Sequence, residues 1–255
     1  MAIDLNRVRE RFDEERQSLE FPGVLLEACG SVVRHVSRSG TSSTIVYSRH
    51  DPEDLAAAIA AEIRYFGELG HEFEWKTYAH DRPPDLVERL RAAGFTIGPP
   101  EAVVVAEIGQ VLRQLPETPI HVERLTDPDG LDDYVAVSAG IWSSPGGTHV
   151  AETMRAAPGS VGVYVAYIDG VPVGCGRGSF HPDSQFVGLW GGGVLPANRK
   201  RGAYLSLVAR RAQDAMAAGA LSLQADALPT SRPILERLGF QTLSVTHPCT
   251  WGDGA

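Results

Sequence analysis

One segment carries most of the structural information in this chain: Val194-Leu195-Pro196-Ala197-Asn198-Arg199-Lys200-Arg201-Gly202-Ala203-Tyr204. In it an apolar run ends next to a proline, and a polar turn with three cations and a glycine follows. Residues 205–216 then contain neither proline nor glycine, and their apolar side chains recur at helical spacing. This order predicts a strand, a tight turn and the start of a helix.

The predicted helix start has the properties of an anion site. The first amides of a helix have no partner inside the helix, and the helix dipole adds positive charge there. Phosphate is a common ligand at such a position. Arg199, Lys200 and Arg201 add formal charge, and Gly202 has no side chain to block a close approach. The alternative is an ordinary strand-to-helix turn whose cations are solvated.

The same segment resembles motif A of the GNAT superfamily of N-acetyltransferases. That motif is written R/Q-x-x-G-x-G/A after a strand ending V-x-P. Val194, Pro196, Arg199 and Gly202 match it, whereas Tyr204 stands where the last Gly or Ala is expected. In the family, this turn holds the pyrophosphate of acyl-coenzyme A.

A second motif follows at the spacing that the resemblance requires. Residues 221–226 alternate as a strand does, and residues 229–238 are typical of a helix that stops at Gly239 before Phe240. A helix ending Leu-Gly-Phe after such a strand resembles motif B of the family. For residues 120–251 the predicted order is β-α-α-β-β-β-α-β-α-β. The resemblance implies an α/β (α+β) fold with a mixed central sheet flanked by helices, the acyl-CoA N-acyltransferase fold.

An internal repeat predicts two tandem copies of this fold. Five residues recur at a shift of 145, since 239 − 94 = 145. They are Asp81, Pro84, Leu90, Gly94 and Phe95, which become Asp226, Pro229, Leu235, Gly239 and Phe240. The matching order of helix, strand, helix and strand favours duplication over coincidence.

The two copies are predicted to differ in coenzyme binding. At the shift of 145, Arg199 corresponds to Asp54 and Pro196 to Asp51, so the turn of the first copy is acidic. Carboxylates suit a helix start but would repel pyrophosphate. We therefore expect a degenerate GNAT-like domain over residues 1–112 and a catalytic, acyl-CoA-binding GNAT domain over 119–255. The boundary is expected around residues 110–119, where Pro116 and Pro119 bracket a short polar linker.

The resemblance implies a binding site for acetyl-CoA as co-substrate. Pantetheine would enter an opening between the strand ending at Val194 and the strand at 221–225. Backbone groups of Val194 and Leu195 would contact it. The pyrophosphate would be held by the six residues of the turn: Arg199, Lys200, Arg201, Gly202, Ala203 and Tyr204.

The reaction implied is direct attack of an amine on the thioester in a ternary complex. Many family members have a carboxylate on the strand before motif A and a tyrosine in the motif B helix. Here Trp190 and glycines stand on the strand, and Leu235 stands in the helix. Asp226 is a candidate base or a structural residue like Asp81, and Ser231 a candidate acid or a helix cap. The alternative function is a non-catalytic acyl-CoA-binding or regulatory protein.

Composition limits the partners. The net charge of −9 argues against nucleic acid, and no apolar run is long enough for a membrane span. Cys29, Cys175 and Cys249 lack the spacing of metal ligands and fit reduced thiols in a cytoplasmic protein. We expect no metal, a small-molecule or protein amine as acceptor, and a monomer or homodimer.

Overall fold

The computed structural model describes residues 3–40, 43–117, 120–142 and 147–252. Its elements, in chain order, are α1 (Leu5–Ser18), β1 (Val24–Cys29), β2 (Val32–Ser37), β3 (Ser43–Ser48), α2 (Leu55–Leu69), β4 (Phe73–Tyr78), α3 (Leu86–Ala92), β5 (Thr96–Ile97), β6 (Glu101–Glu107), α4 (Ile108–Gln114), β7 (His121–Leu125), α5 (Asp132–Trp142), α6 (Gly147–Ala156), β8 (Val161–Ile168), β9 (Val171–Ser179), β10 (Phe186–Val194), the 3-10 turn η1 (Pro196–Asn198), α7 (Ala203–Ala217), β11 (Ser222–Ala227), α8 (Arg232–Arg237) and β12 (Gln241–Trp251).

These elements form two units. The first unit contains the chain up to Val103, residues 227–229 and the chain from Thr242. The second unit contains Val104–Asp226 and Thr230–Gln241. Within the described residues, no helix is both long and apolar enough to cross a membrane.

The first unit is a sheet with the strand order β1-β2-β3-β4-β12, and β5 also pairs with β12. Strands β3 and β4 are parallel, and the other pairs whose register is known are antiparallel. Helix α2 presents Leu55, Ile59 and Phe66 to the core, at the spacing of one helix face. Phe66 stacks on Phe73 with ring centroids 4.2 Å apart.

The second unit is a sheet with the order β6-β11-β10-β9-β8-β7. Strands β10 and β11 are parallel, whereas β7, β8, β9 and β10 form antiparallel pairs. Helix α7 buries Ala203 and Leu207 in one core with Tyr164 and Val194. Helices α5 and α6 contribute to a separate core that contains Val163, Val165 and Cys175. The predicted mixed sheet with flanking helices is confirmed.

The predicted order β-α-α-β-β-β-α-β-α-β is also confirmed. It corresponds to β7, α5, α6, β8, β9, β10, α7, β11, α8 and β12. The sequence-based domains 1–112 and 119–255 stay a prediction, because the contact units follow packing and not the limits of a repeat. Most of β6 belongs to the second unit and most of β12 to the first, so each unit includes a strand that chain order alone would give to the other copy.

The first part of the predicted boundary region is helical. Residues 110–114 belong to α4, which buries Ile108 and Val111 in the second unit. Two buried apolar residues three positions apart hold this short helix against the unit, although the sequence that follows it is polar. Pro119, at the other end of the predicted linker, lies outside the described residues.

The register of the repeat also needs correction. Helices α2 and α7 each have 15 residues and begin at Leu55 and Ala203, a shift of 203 − 55 = 148. Their N-caps are Asp54 and Gly202. By contrast, Gly94 and Gly239 keep the shift of 145, and both have positive φ, 103° and 91°. Between the start of this helix and the glycine, the first copy therefore has three more residues than the second. An alignment without gaps misplaces the turn for this reason.

The corrected register pairs Asp54 with Gly202 and Asp51 with Arg199, since 202 − 54 = 199 − 51 = 148. The first copy still carries acidic residues where the second carries cations. The sequence argument for a degenerate first turn therefore keeps its physical content, with different residue pairs.

Candidate active site

A tight turn connects β10 to α7. Its first part is the turn η1, in which the amide of Asn198 donates to the carbonyl of Leu195 at 2.9 Å. Lys200 and Gly202 then adopt left-handed backbone conformations, with φ of 62° and 92°. Glycine adopts such a φ freely, whereas lysine does so rarely. A residue held in this region marks a turn whose shape is fixed by its surroundings.

The start of α7 is open to an anion. Gly202 is the N-cap and has no side chain to accept from the helix amides. The amides of Ala203, Tyr204 and Leu205 are the first of the helix and point out of its end. Arg199, Lys200 and Arg201 are exposed. Across the described part of the chain, none of these three cations takes part in an ion pair.

An opening lies next to this turn, between β10 and β11. The two strands pair at Phe186–Ser222, Val187–Leu223 and Gly188–Gln224, and no further pair follows in the described strands. Strand β10 continues to Val194 and β11 to Ala227. The strands therefore separate for the last six residues of β10, as the family resemblance implies.

The edge of β10 offers backbone groups to this opening. The amide of Leu195 donates to the carbonyl of Val173 on β9 at 2.9 Å. Neighbouring residues of a strand alternate in direction, so the backbone groups of Val194 point to the opening. The carbonyl of Val194 accepts from Arg199 Nε at 3.2 Å. The contact between pantetheine and Leu195 stays a prediction. The amide of Leu195 already donates to β9.

The three glycines of β10 form a β-bulge. Trp190 pairs with Arg177 and Gly193 with Cys175, so three steps on β10 oppose two on β9. Gly191 has a φ of 52°, which suits glycine. The bulge therefore explains why glycine stands at position 191.

Each bulge glycine also lies against a large side chain. A Cβ on Gly192 would lie 3.2 Å from Arg211 Nη2 and 3.3 Å from Tyr204 Cε2. A Cβ on Gly193 would lie 2.9 Å from Trp142 Cζ2. These contacts explain why glycine stands at positions 192 and 193.

Comparison with known proteins agrees with this geometry. Residues 131–240 match the model of the acetyltransferase (GNAT) family. These residues form a GNAT domain. The match contains β10, the cationic turn, α7, β11 and α8.

Solved structures resemble the whole chain, including the first copy. A GCN5-related N-acetyltransferase from Kribbella flavida has a TM-score of 0.72 at 18% identity, covering 99% of this chain and 97% of its own. A conserved protein of unknown function from Staphylococcus epidermidis has a TM-score of 0.68 at 13% identity, covering 90% and 93%. A tandem GNAT protein from the clavulanic acid biosynthesis pathway, solved without acetyl-CoA, has a TM-score of 0.58 at 12% identity, covering 93% and 86%. No curated protein gave a significant match.

At these identities the structures show the fold, which is that of a tandem GNAT protein. The family match lies within the second copy. The degenerate character of the first copy stays a prediction from its acidic turn.

The side chain of Tyr204 packs against the core of the GNAT domain. Its ring packs with Ala203, Leu207 and their core, next to Gly192. Burial raises the pKa of the Tyr204 hydroxyl, and the nearby Arg211 opposes this rise. The Tyr204 side chain therefore fills space in the core. Its amide remains the second of α7, where an anion can bind.

The two catalytic candidates lie on β11 and at the start of α8. Asp226 is half-buried on β11, two residues beyond the last paired position, and its Oδ1 accepts from Gln224 Nε2 at 3.3 Å. Ser231 is the N-cap of α8, but its side chain makes no capping hydrogen bond. The capping interpretation of Ser231 therefore has no support. Leu235 is buried, so no proton donor stands at that helix position.

The cysteines and metal-ligand types offer no further chemistry. All three cysteines are free, and burial raises the pKa of the Cys175 thiol to about 12, which keeps it protonated at neutral pH. Among the described residues, no group of three or more His, Cys, Asp or Glu side chains is placed to hold a metal ion.

Sequence reasoning missed how the first copy fills its own opening. Strands β3 and β4 pair at three positions, the last being Ile45–Trp75. Just beyond, Arg16 of α1 donates to the carbonyl of Val46 at 3.2 Å and to Asp81 at 2.5 Å. The guanidinium of Arg16 therefore occupies the place equivalent to the opening in the GNAT domain. No local pattern signals this pair, because Arg16 and Asp81 are 65 residues apart.

Proposed function

We propose that the GNAT domain binds acetyl-CoA and transfers its acetyl group to an amine by direct attack in a ternary complex. The observation that carries this proposal is an uncapped helix start with three unpaired cations, next to two strands that separate. A diphosphate fits the first feature and an extended pantetheine arm fits the second.

The pyrophosphate would bind the amides of Gly202, Ala203 and Tyr204, with Arg199, Lys200 and Arg201 around it. Charge-assisted hydrogen bonds of this kind contribute about 1.5–3 kcal/mol each. Pantetheine would follow the free edge of β10 towards the bulge. Its amide would replace the Arg199 side chain at the carbonyl of Val194, which would release Arg199 to the phosphates.

In the chemical step the amine nitrogen attacks the thioester carbon, and the carbon–sulfur bond breaks. The amine must first be neutral, which costs about 4–5 kcal/mol at pH 7 for an amine with a pKa of about 10.4. Binding both reactants in one cleft can supply roughly 7–11 kcal/mol. We propose positioning as the main contribution. In this proposal Asp226 accepts the proton of the amine and Ser231 donates one to the thiolate, each directly or through water.

The first copy is proposed to be a structural domain. The Arg16–Asp81 pair fills its opening, and Asp51, Glu53 and Asp54 make its turn acidic. A cytoplasmic location is also part of the proposal, because three free thiols suit a reducing compartment.

Two measurements on the purified full chain test the proposed function. Calorimetry measures acetyl-CoA binding, and release of free thiol is followed with a broad panel of amines. Binding together with acceptor-dependent thiol release supports a transferase. Binding without release from any amine supports the acyl-CoA-binding or regulatory alternative, and no binding contradicts both.

A further inference from the structure

Two arginines next to the β10 bulge lack an acidic partner. Arg177 projects from β9 opposite Trp190. Its Nε is buried and has no hydrogen-bond partner among the described residues. It lies against the bulge, since a Cβ on Gly191 would be 3.5 Å from Arg177 Nε and 3.7 Å from its Nη2.

Arg211 approaches the same bulge from α7 and is 1% exposed. Its Nε donates to the Leu207 carbonyl at 2.9 Å and its Nη1 to the Arg177 carbonyl at 3.2 Å. Its Nη2 faces Gly192, where a Cβ would lie 3.2 Å away. Burial lowers the pKa of Arg211, and the groups that oppose this are Tyr204, Tyr164 and Cys175 rather than a carboxylate.

Nearby acids are bound elsewhere. Asp214, also on α7, accepts from Tyr164 at 2.8 Å, Arg124 at 3.2 Å and Arg210 at 3.0 Å. No ion pair in the described part of the chain includes Arg177 or Arg211.

Buried guanidinium groups without a counter-ion are unfavourable, and a bound anion would remove that cost. If pantetheine follows β10 from the cationic turn, its thioester end lies close to the bulge. We propose that the amine acceptor carries a carboxylate, which Arg177 binds while Arg211 adds positive potential across the bulge. This inference rests on the proposed function and specifies its substrate class: amino acids and related small amines with a carboxylate.

The same positive charge disfavours polycationic acceptors. A cation near an ammonium group favours its neutral form, which is the form that attacks the thioester. The site thus binds the acceptor by its carboxylate and discourages protonation of its amine. A site built for a polyamine or a lysine-rich segment would instead need acids at this bulge.

The test uses the full chain, acetyl-CoA and matched acceptor pairs. Each α-, β- and γ-amino acid of the panel is compared with its own carboxamide, and thiol release is expressed per concentration of neutral amine. For the preferred acceptor we expect kcat/KM to be at least about 10-fold higher for the acid than for its amide. Equal rates for acid and amide, or faster amides, overturn the inference but leave the proposed transferase intact. Thiol release from no amine overturns both.

Variants of Arg177 identify the binding group. Arg177→Gln should raise KM for the acid about 10-fold or more, change the amide little, and leave acetyl-CoA affinity unaltered in calorimetry. Arg177→Lys should recover part of the loss, because it keeps the charge without the guanidinium fork. The matched control is Arg155→Gln, which removes a half-exposed arginine of α6. It should change neither the KM for the acid nor the affinity for acetyl-CoA. An equal loss for acid and amide in Arg177→Gln would contradict a carboxylate-binding role.

Discussion

At the residue scale, the turn before α7 depends on charge. Replacing both Arg199→Glu and Arg201→Glu puts two carboxylates beside the proposed diphosphate. We expect acetyl-CoA affinity to fall at least about 100-fold, because favourable charged contacts become repulsive. Calorimetry measures this change. Both side chains are exposed, so the free energy of unfolding should change little.

The matched control for this double variant is charge reversal at the equivalent turn of the first copy. Asp54 is the N-cap of α2 and makes no side-chain capping bond. Asp54→Lys should leave acetyl-CoA affinity unchanged. Equal affinity in the Arg199/Arg201 variant and the wild type would place the coenzyme elsewhere.

The cysteines give a second prediction at this scale. Burial raises the pKa of Cys175 to about 12 and that of Cys249 to about 11, so at pH 8 both are almost entirely protonated thiols. Cys29 is exposed. Mass spectrometry after alkylation of the native protein at pH 8 should therefore show one modified cysteine per chain, at Cys29. After unfolding all three should react, and fast native modification of Cys175 would contradict the described core.

At the element scale, the bulge of β10 depends on its missing side chains. In Gly193→Ala, the new Cβ would meet Trp142 at 2.9 Å and Ile141 at 3.0 Å. We expect a loss of about 1–3 kcal/mol in the free energy of unfolding, measured with chemical denaturant. Transfer activity should also fall, since the bulge borders the opening.

A glycine with free space provides the control. Gly67 lies inside α2, and a Cβ there meets nothing within 4 Å. Gly67→Ala should be neutral or stabilise by about 0.5–1 kcal/mol, because alanine favours a helix. If both variants destabilise equally, the cost is not due to crowding at the bulge.

The elements that sequence predicted correctly are those set by local patterns. The order of ten elements and the turn around Gly202 follow from periodicity, proline and glycine. Helix α4 was missed because its seven residues bury only Ile108 and Val111. The sequence alignment of the two copies missed the three-residue change in the repeat. The identical residues that set its shift of 145 lie after the turn, and that shift does not hold at the turn itself.

The candidate site was predictable only in part for a related reason. The cationic turn is contiguous in sequence, so its residues could be named. Arg177 and Arg211 come from β9 and α7 and meet only at the bulge. Each alone reads as an ordinary surface arginine, and no spacing in the sequence links them.

At the scale of the whole molecule, the opening beside the turn distinguishes the two copies, which share a fold. Among the described residues, no ion pair involves the cations of the turn beside the opening of the GNAT domain, whereas in the first copy Arg16 lies between β3 and Asp81. Removing Asp81 would leave the buried guanidinium of Arg16 with Asp13 as its remaining carboxylate partner, and breaking a buried pair of this kind costs about 3–5 kcal/mol. The pair therefore stabilises the first copy in the form that excludes a pantetheine arm.

This difference predicts a stoichiometry of one acetyl-CoA per chain. Calorimetry with the full chain should give one site, and the Arg199/Arg201 double variant should give none. Arg16→Ala should not create a second site, because Asp51, Glu53 and Asp54 still oppose a diphosphate at that turn. Two sites in the wild type, or one site that survives in the double variant, would mean that the first copy binds coenzyme despite its acidic turn.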